Sequence, residues 1–151
     1  MMGSRMSLRA RAALATGALT STLLAGAVVA APTASSASYP TCNAQKMVST
    51  SGGRFTYHPY YKATGSRNCV MGRGAQSDGV FPLQHAIEYC YKRDIAFDGI
   101  YGPQTEDGVW AIQRAEDVGR DGVYGPETRK AMKWPIYQGG VGHVGCSELG
   151  V

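Results

Sequence analysis

Histidine is scarce in this chain: His58, His85 and His143 stand far apart, and no Cys-x-x-Cys pair accompanies them. Metal ligands usually come as close pairs on a turn or helix, so no metal centre is expected. A Gly-x-Ser-x-Gly elbow is missing too, as is any Cys–His arrangement of the kind nucleophilic enzymes use. Adjacent carboxylates occur at Glu106-Asp107 and Glu116-Asp117. Neighbours on a helix point different ways, so these read as a solvated face and not as a paired acid and base. Neither a catalytic set nor a cofactor is expected.

The first 37 residues hold no acidic side chain. Arg5, Arg9 and Arg11 lead into an apolar run over residues 12–31, and a small polar stretch follows at 32–37. Ser35 and Ala37 stand three and one residues before a cut after position 37, with Ala31 and Ala34 as alternative sites. That layout is a secretory signal peptide. A membrane anchor is the competing reading, because about twenty apolar residues just span a bilayer. Thr16, Gly17, Thr20, Ser21 and Thr22 weaken it as a permanent span. There is no twin-arginine pair. The leader carries three of the fifteen Lys and Arg and none of the eleven Asp and Glu, so most of the formal +4 charge departs with it. The remainder gives little reason to expect nucleic acid or an anionic membrane as partner.

Four cysteines, Cys42, Cys69, Cys90 and Cys146, all follow the leader. An even count in a short exported chain reads as two disulfides. Three pairings are open. Cys42–Cys146 with Cys69–Cys90 is favoured, as tying the ends together and pinning the N-terminal segment to the first helix.

Residues 38–79 read as an irregular to β-like extension, with a hairpin expected between 47–49 and 54–57 across 50–53. The helical spacing of Val80, Leu83, Ile87 and Cys90 predicts a first helix over 80–91. A second should open at Pro103, where proline's missing N–H costs nothing, and bury Thr105, Val109 and Ile112. Gly108 in its middle costs about 1 kcal/mol against alanine and suggests close packing. A short third helix should begin at Pro126, carry Thr128, Ala131 and Met132, and end at Trp134-Pro135. Residues 135–151 form the C-terminal tail, whose Gly-rich stretch from 138 to 145 should be a loop held by Cys146.

One passage occurs twice. Asp98-Gly99-Ile100-Tyr101-Gly102-Pro103-Gln104-Thr105 returns as Asp121-Gly122-Val123-Tyr124-Gly125-Pro126-Glu127-Thr128, with six of eight positions identical. Asp-Gly makes a tight turn, the next pair runs extended, and Gly-Pro opens a helix. The Thr hydroxyl is expected to cap a free N–H of the first turn.

Leu83-Gln84, Asp98-Gly99, Gly102, Thr105, Val109 and Ile112-Gln113, then Asp121-Gly122, Gly125, Pro126 and Thr128 together resemble the peptidoglycan-binding domain family. The likeness covers residues 80–132. It implies a mainly α fold: a compact three-helix bundle at 80–134 with two D-G-x-Y-G-P-x-T loops, flanked by the extension and the tail. The Cys-bearing flanks resemble elaborations around such domains in exported actinobacterial proteins. Gly108 stands where the family usually has Ala, Ile112 where it has Phe, and Lys92-Arg93-Asp94 where a Gly commonly follows the first helix.

The resemblance implies non-catalytic binding of peptidoglycan or a muropeptide by a secreted or wall-associated monomer, free of the membrane once the leader is cut. A small wall hydrolase using His58, or a secreted inhibitor module on the same fold, are the alternatives. Such a polymer calls for aromatic faces and a few directed polar groups. Tyr101, Trp110 and Tyr124 are the candidate rings, Gln104 and Gln113 the candidate amides. Phe97 and Ile100 are assigned to the core, and Asp98 and Asp121 to the turns. The two reversals are expected to shape one shallow trough.

Overall fold

Aromatic and β-branched residues crowd positions 54–60, and such side chains suit a half-buried pleated surface. In the computed structural model, which describes residues 38–148, this stretch is strand β2 (Arg54–Tyr60). It pairs antiparallel with β1 (Ala44–Ser49) across a 3-10 turn at Ser51–Gly53. Met47 opposes Tyr57 and Ser49 opposes Phe55, so the expected hairpin forms and extends beyond the expected residues at its open end. The period of two along β2 puts Thr56 and His58 inside and leaves Phe55 and Tyr57 half-buried. The leader expected at 1–37 and its cleavage sites lie outside the described residues.

Helix α1 (Val80–Tyr91) buries Val80, Leu83, Gln84 and Ile87, the inward stripe of a 3.6-residue period. It stops at Lys92, whose φ of 56° is left-handed; the Lys92 N–H bonds the Glu88 carbonyl. A lysine thus takes the conformation for which glycine is the usual choice. Helix α2 (Pro103–Ala115) opens on its proline and buries Thr105, Val109 and Ile112. A Cβ on Gly108 would lie 2.7 Å from Ile87 Cδ1, so the bare glycine lets α1 and α2 close on each other. Helix α3 (Pro126–Ala131) is short, and Met132 is already extended, two residues before the expected stop.

The mainly α, three-helix-bundle expectation is overturned. Beside the three helices stands a four-stranded antiparallel sheet in the order β1-β2-β3-β4, with β3 (Lys133–Gln138) running from the expected end of the third helix into the tail and β4 (Gly142–Glu148) crossing the stretch expected as a loop. Pro135 and the glycines disguise these strands. Proline is tolerated because β3 meets β2 only at Arg54↔Gln138 and Phe55↔Tyr137, so at Pro135 it has a partner on one side alone. Trp134 explains why the tail folds back at all: it is fully buried, and hiding an indole is worth roughly 4 kcal/mol in area removed from water. Extension and tail therefore join in one sheet through β2 and β3.

The favoured disulfide pairing is also corrected. Cys42 bonds Cys69 and Cys90 bonds Cys146. Thr41 bridges Val70 in parallel, and the Cys42 N–H donates to the Val70 carbonyl at 3.0 Å, which brings the Cα atoms of Cys42 and Cys69 within 5.0 Å. Cys90, at the end of α1, faces β4. Among the described residues no helix is long and apolar enough to cross a membrane.

Candidate functional site

Two buried glutamines organise the two Asp-Gly loops. From α1, Gln84 Nε2 donates to Asp98 Oδ1 at 2.7 Å, the Ile100 carbonyl at 3.1 Å and Thr105 Oγ1 at 3.3 Å. Its Oε1 accepts the Gly99 N–H at 3.1 Å. From α2, Gln113 Nε2 donates to Asp121 Oδ1 at 2.7 Å, the Val123 carbonyl at 3.1 Å and Thr128 Oγ1 at 3.2 Å. Its Oε1 accepts the N–H groups of Asp121 and Gly122. Each Asp also accepts the N–H two residues on, at 2.9 Å, closing an Asx turn. The Gln84 amide and the Ile100 N–H hold the Asp98 carboxyl below the usual carboxylate range. The Thr hydroxyls do not cap their helices; they are engaged by the glutamine amides instead. Buried amides need such partners, and here one side chain supplies a whole loop.

Gly99 and Gly122 sit at φ 70° and 69°, in the left-handed region. A ring lies over each. A Cβ at position 99 would come within 2.9 Å of Phe81, and one at 122 within 2.6 Å of Trp110. Phe81 and Trp110 each precede a loop-reading glutamine by three residues, so ring, amide and loop form one unit built twice. Between the units runs a strap from the extension: Met71 bridges Tyr124 and Gln76 bridges Ile100. Arg73, on the strap, forms an ion pair with Glu106 of α2.

The single trough is therefore replaced by two separate hollows. The first, about 190 Å³, is lined by Asp98, Ile100, Gly102, Pro103, Gln104 and Thr105 over Gln84. The second, about 340 Å³, has Asp121, Val123, Gly125, Pro126, Glu127 and Thr128 over Gln113, with Tyr39 and Val70 added at its side. Position by position the linings correspond. Among the corresponding positions the change of charge is at one side chain: the neutral amide of Gln104 in the first hollow, the carboxylate of Glu127 in the second.

Of the five expected contact residues, two reach the surface. Gln104 is exposed in the first hollow. Trp110 is 38% exposed and lines a third depression with Arg93, Asp107 and Arg114. Tyr101 and Tyr124 have no exposed surface, and Gln113 almost none. These three hold the loops in place and offer a ligand no free face. Phe97 and Ile100, assigned to the core, are instead 40% and 39% exposed. The role of Gln84 went unread. Its place in the motif was visible, but only the fold shows that it does for the first loop what Gln113 does for the second.

Residues 76–132 match the family model described as a putative peptidoglycan binding domain. The match includes both Gln-reads-loop units and ends at Met132, before the β3–β4 hairpin. The matched segment thus contributes the helices, and all four strands lie in its flanks. No curated protein and no solved structure gives a significant match to the chain.

His58 is fully buried, its ring stacked on Trp134 at 4.1 Å between centroids. Burial, with the nearby guanidinium groups of Arg67 and Arg129, pushes its pKa down to about 3. It is therefore a neutral core residue with no path to a substrate. No group of three His, Cys, Asp or Glu side chains able to hold a metal ion occurs among the described residues.

Proposed function

We propose that the protein is secreted and attaches to peptidoglycan without cutting it, through the outer faces of its two Asp-Gly loops. The observation that carries this reading is the doubled unit inside the matched segment: each buried glutamine fixes a loop so that a hollow stands open beside it. A fixed hollow binds without an ordering cost. Gln104 and Ile100 at the first hollow, Val123 and Glu127 at the second, and the outer face of Trp110 are the contact groups. Tyr101, Tyr124 and Gln113 act as the frame behind them.

Sedimentation with purified, protein-free wall sacculi tests the reading. The protein should pellet with the sacculi, and a Gln104→Ala, Trp110→Ala double variant should pellet less. Protein left wholly in the supernatant at low and moderate salt overturns the proposal. Dye-labelled sacculi should release no dye; release above background would overturn the non-catalytic part alone.

A further inference from the structure

Seven aromatic rings, none of them lining either hollow, form a continuous strip of half-buried and exposed faces. Phe55 and Tyr57, two apart on β2, share one face of that strand. Tyr137 of β3 stacks on Phe55 at 5.9 Å and meets Tyr57 edge-on at 6.0 Å. Across to α1, Tyr137 is hydrogen-bonded to His85 Nδ1 at 2.9 Å. His85 meets Phe97 at 4.7 Å, and Tyr89, one turn on from His85, stacks on His143 of β4 at 4.7 Å. None of these seven rings is buried; Phe97 and His143 are the most open.

A core would have hidden these rings, and none of them lies in the buried cluster that the helices share with Trp134. Their polar atoms are phenol oxygens and imidazole nitrogens, which are hydrogen-bonding groups without the ammonium or guanidinium charge that phosphate-bearing partners demand. Flat apolar faces edged by phenol and imidazole donors and acceptors complement a pyranose chain, whose rings show C–H faces with hydroxyl and amide groups around them. The strip also adjoins the first hollow, because Phe97 lies between Ala96 and Asp98, both of which line it.

We propose that this strip is a platform for the sugar strand of the wall polymer, with N-acetylated pyranose units lying on its rings and the attached peptides reaching the first hollow. The proposal rests on the peptidoglycan reading above, but it adds a second surface with its own ligand, built mainly by the flanks outside the matched segment. The Cys90–Cys146 disulfide secures it by holding β4, and with it His143, to the end of α1 beside Tyr89.

The probe is N-acetylchitohexaose, a soluble, peptide-free strand of N-acetylated pyranoses, titrated into the mature protein and followed by NMR of the aromatic rings. The signals of Tyr89, Phe97 and Tyr137 should move together on one saturating curve. A Tyr89→Ala, Phe97→Ala double variant should bind the hexaose at least about tenfold more weakly, the loss expected when well-placed anchors are removed. Shifts in the wild type do not depend on how the variant folds. If the hexaose moves no strip signal while sacculi still pellet the protein, the sugar platform is wrong and wall binding stands. Hexaose shifts confined to the two hollows overturn the platform as well. Failure with both hexaose and sacculi overturns both readings.

Discussion

The Tyr101 hydroxyl, in the first Asp-Gly loop, donates a 2.7 Å hydrogen bond to the carbonyl of Gly122 in the second. This buried bond ties the two loops to each other directly. Tyr124 holds the matching position in the second loop, yet its hydroxyl is buried with no hydrogen-bond partner among the described residues. Equivalent residues in the duplicated passage therefore carry different loads. Tyr101→Phe should leave the Gly122 carbonyl unsatisfied and cost about 1–3 kcal/mol. Tyr124→Phe removes only an unpaired group and should be neutral or stabilising. Urea unfolding of both variants checks the contrast, and equal losses would show that the inter-loop bond contributes nothing.

Gln113→Glu probes the frame itself. The Gln113 Nε2 donates to Asp121, Val123 and Thr128, two of which offer an oxygen that can only accept. An ionised glutamate there would face acceptors with an acceptor, in the interior. We expect a loss of about 3 kcal/mol or more at pH 7. The carboxyl's pKa would be raised in the folded state, so the penalty should shrink as pH falls and the group takes a proton it can donate. A deficit that stays constant from pH 7 to pH 4 would mean the amide hydrogens of Gln113 do not hold the loop.

How far this was legible in the sequence follows from where each signal is stored. Helix α1 was readable to the residue because Val80, Leu83 and Ile87 repeat at helical spacing, and α2 and α3 because Gly-Pro marks their starts. The sheet was half hidden. β2 shows aromatic and β-branched residues, but β3 contains Pro135 and β4 contains three residues without side-chain bulk, Gly142, Gly145 and Ser147. Their pairing is dictated by the distant burial of Trp134 and by the Cys90 bond, which no local window records. At the site the repeated chemistry of the turn was visible, but its direction was not. In an extended pair such as Ile100-Tyr101 one side chain must go in and the other out, and here the larger, Tyr101, goes in while Ile100 stays at the surface.

The disulfides give a third prediction. Non-reducing digestion should yield one linked peptide pair holding Cys42 with Cys69 and another holding Cys90 with Cys146. Loop closure over 27 and 56 residues predicts contributions of about 3.5 and 4 kcal/mol in the chain-entropy treatment. Removing Cys90 and Cys146 together should also free β4, raising amide exchange from Gly142 to Glu148 while α2 stays protected. Uniform exchange across the molecule after that change would mean the bond supports the whole fold and not the strand it anchors.

Burial of His58 sets the acid sensitivity. Its pKa falls from 6.5 to about 3 on folding, first through desolvation and then through Arg67 and Arg129. Above pH 6.5 the ring is neutral folded or unfolded and contributes no pH dependence. Below that, the unfolded chain takes up a proton that the folded one refuses, so stability should fall by about 1.4 kcal/mol per pH unit as pH drops from 6.5 toward 3. His58→Phe keeps a ring against Trp134 and removes the titration. Urea unfolding at steps between pH 7 and pH 4 should therefore show a steep decline for the natural chain and a shallower one for the variant. Parallel slopes would place the ring in contact with water, and the packing of β2 on Trp134 would have to be redrawn.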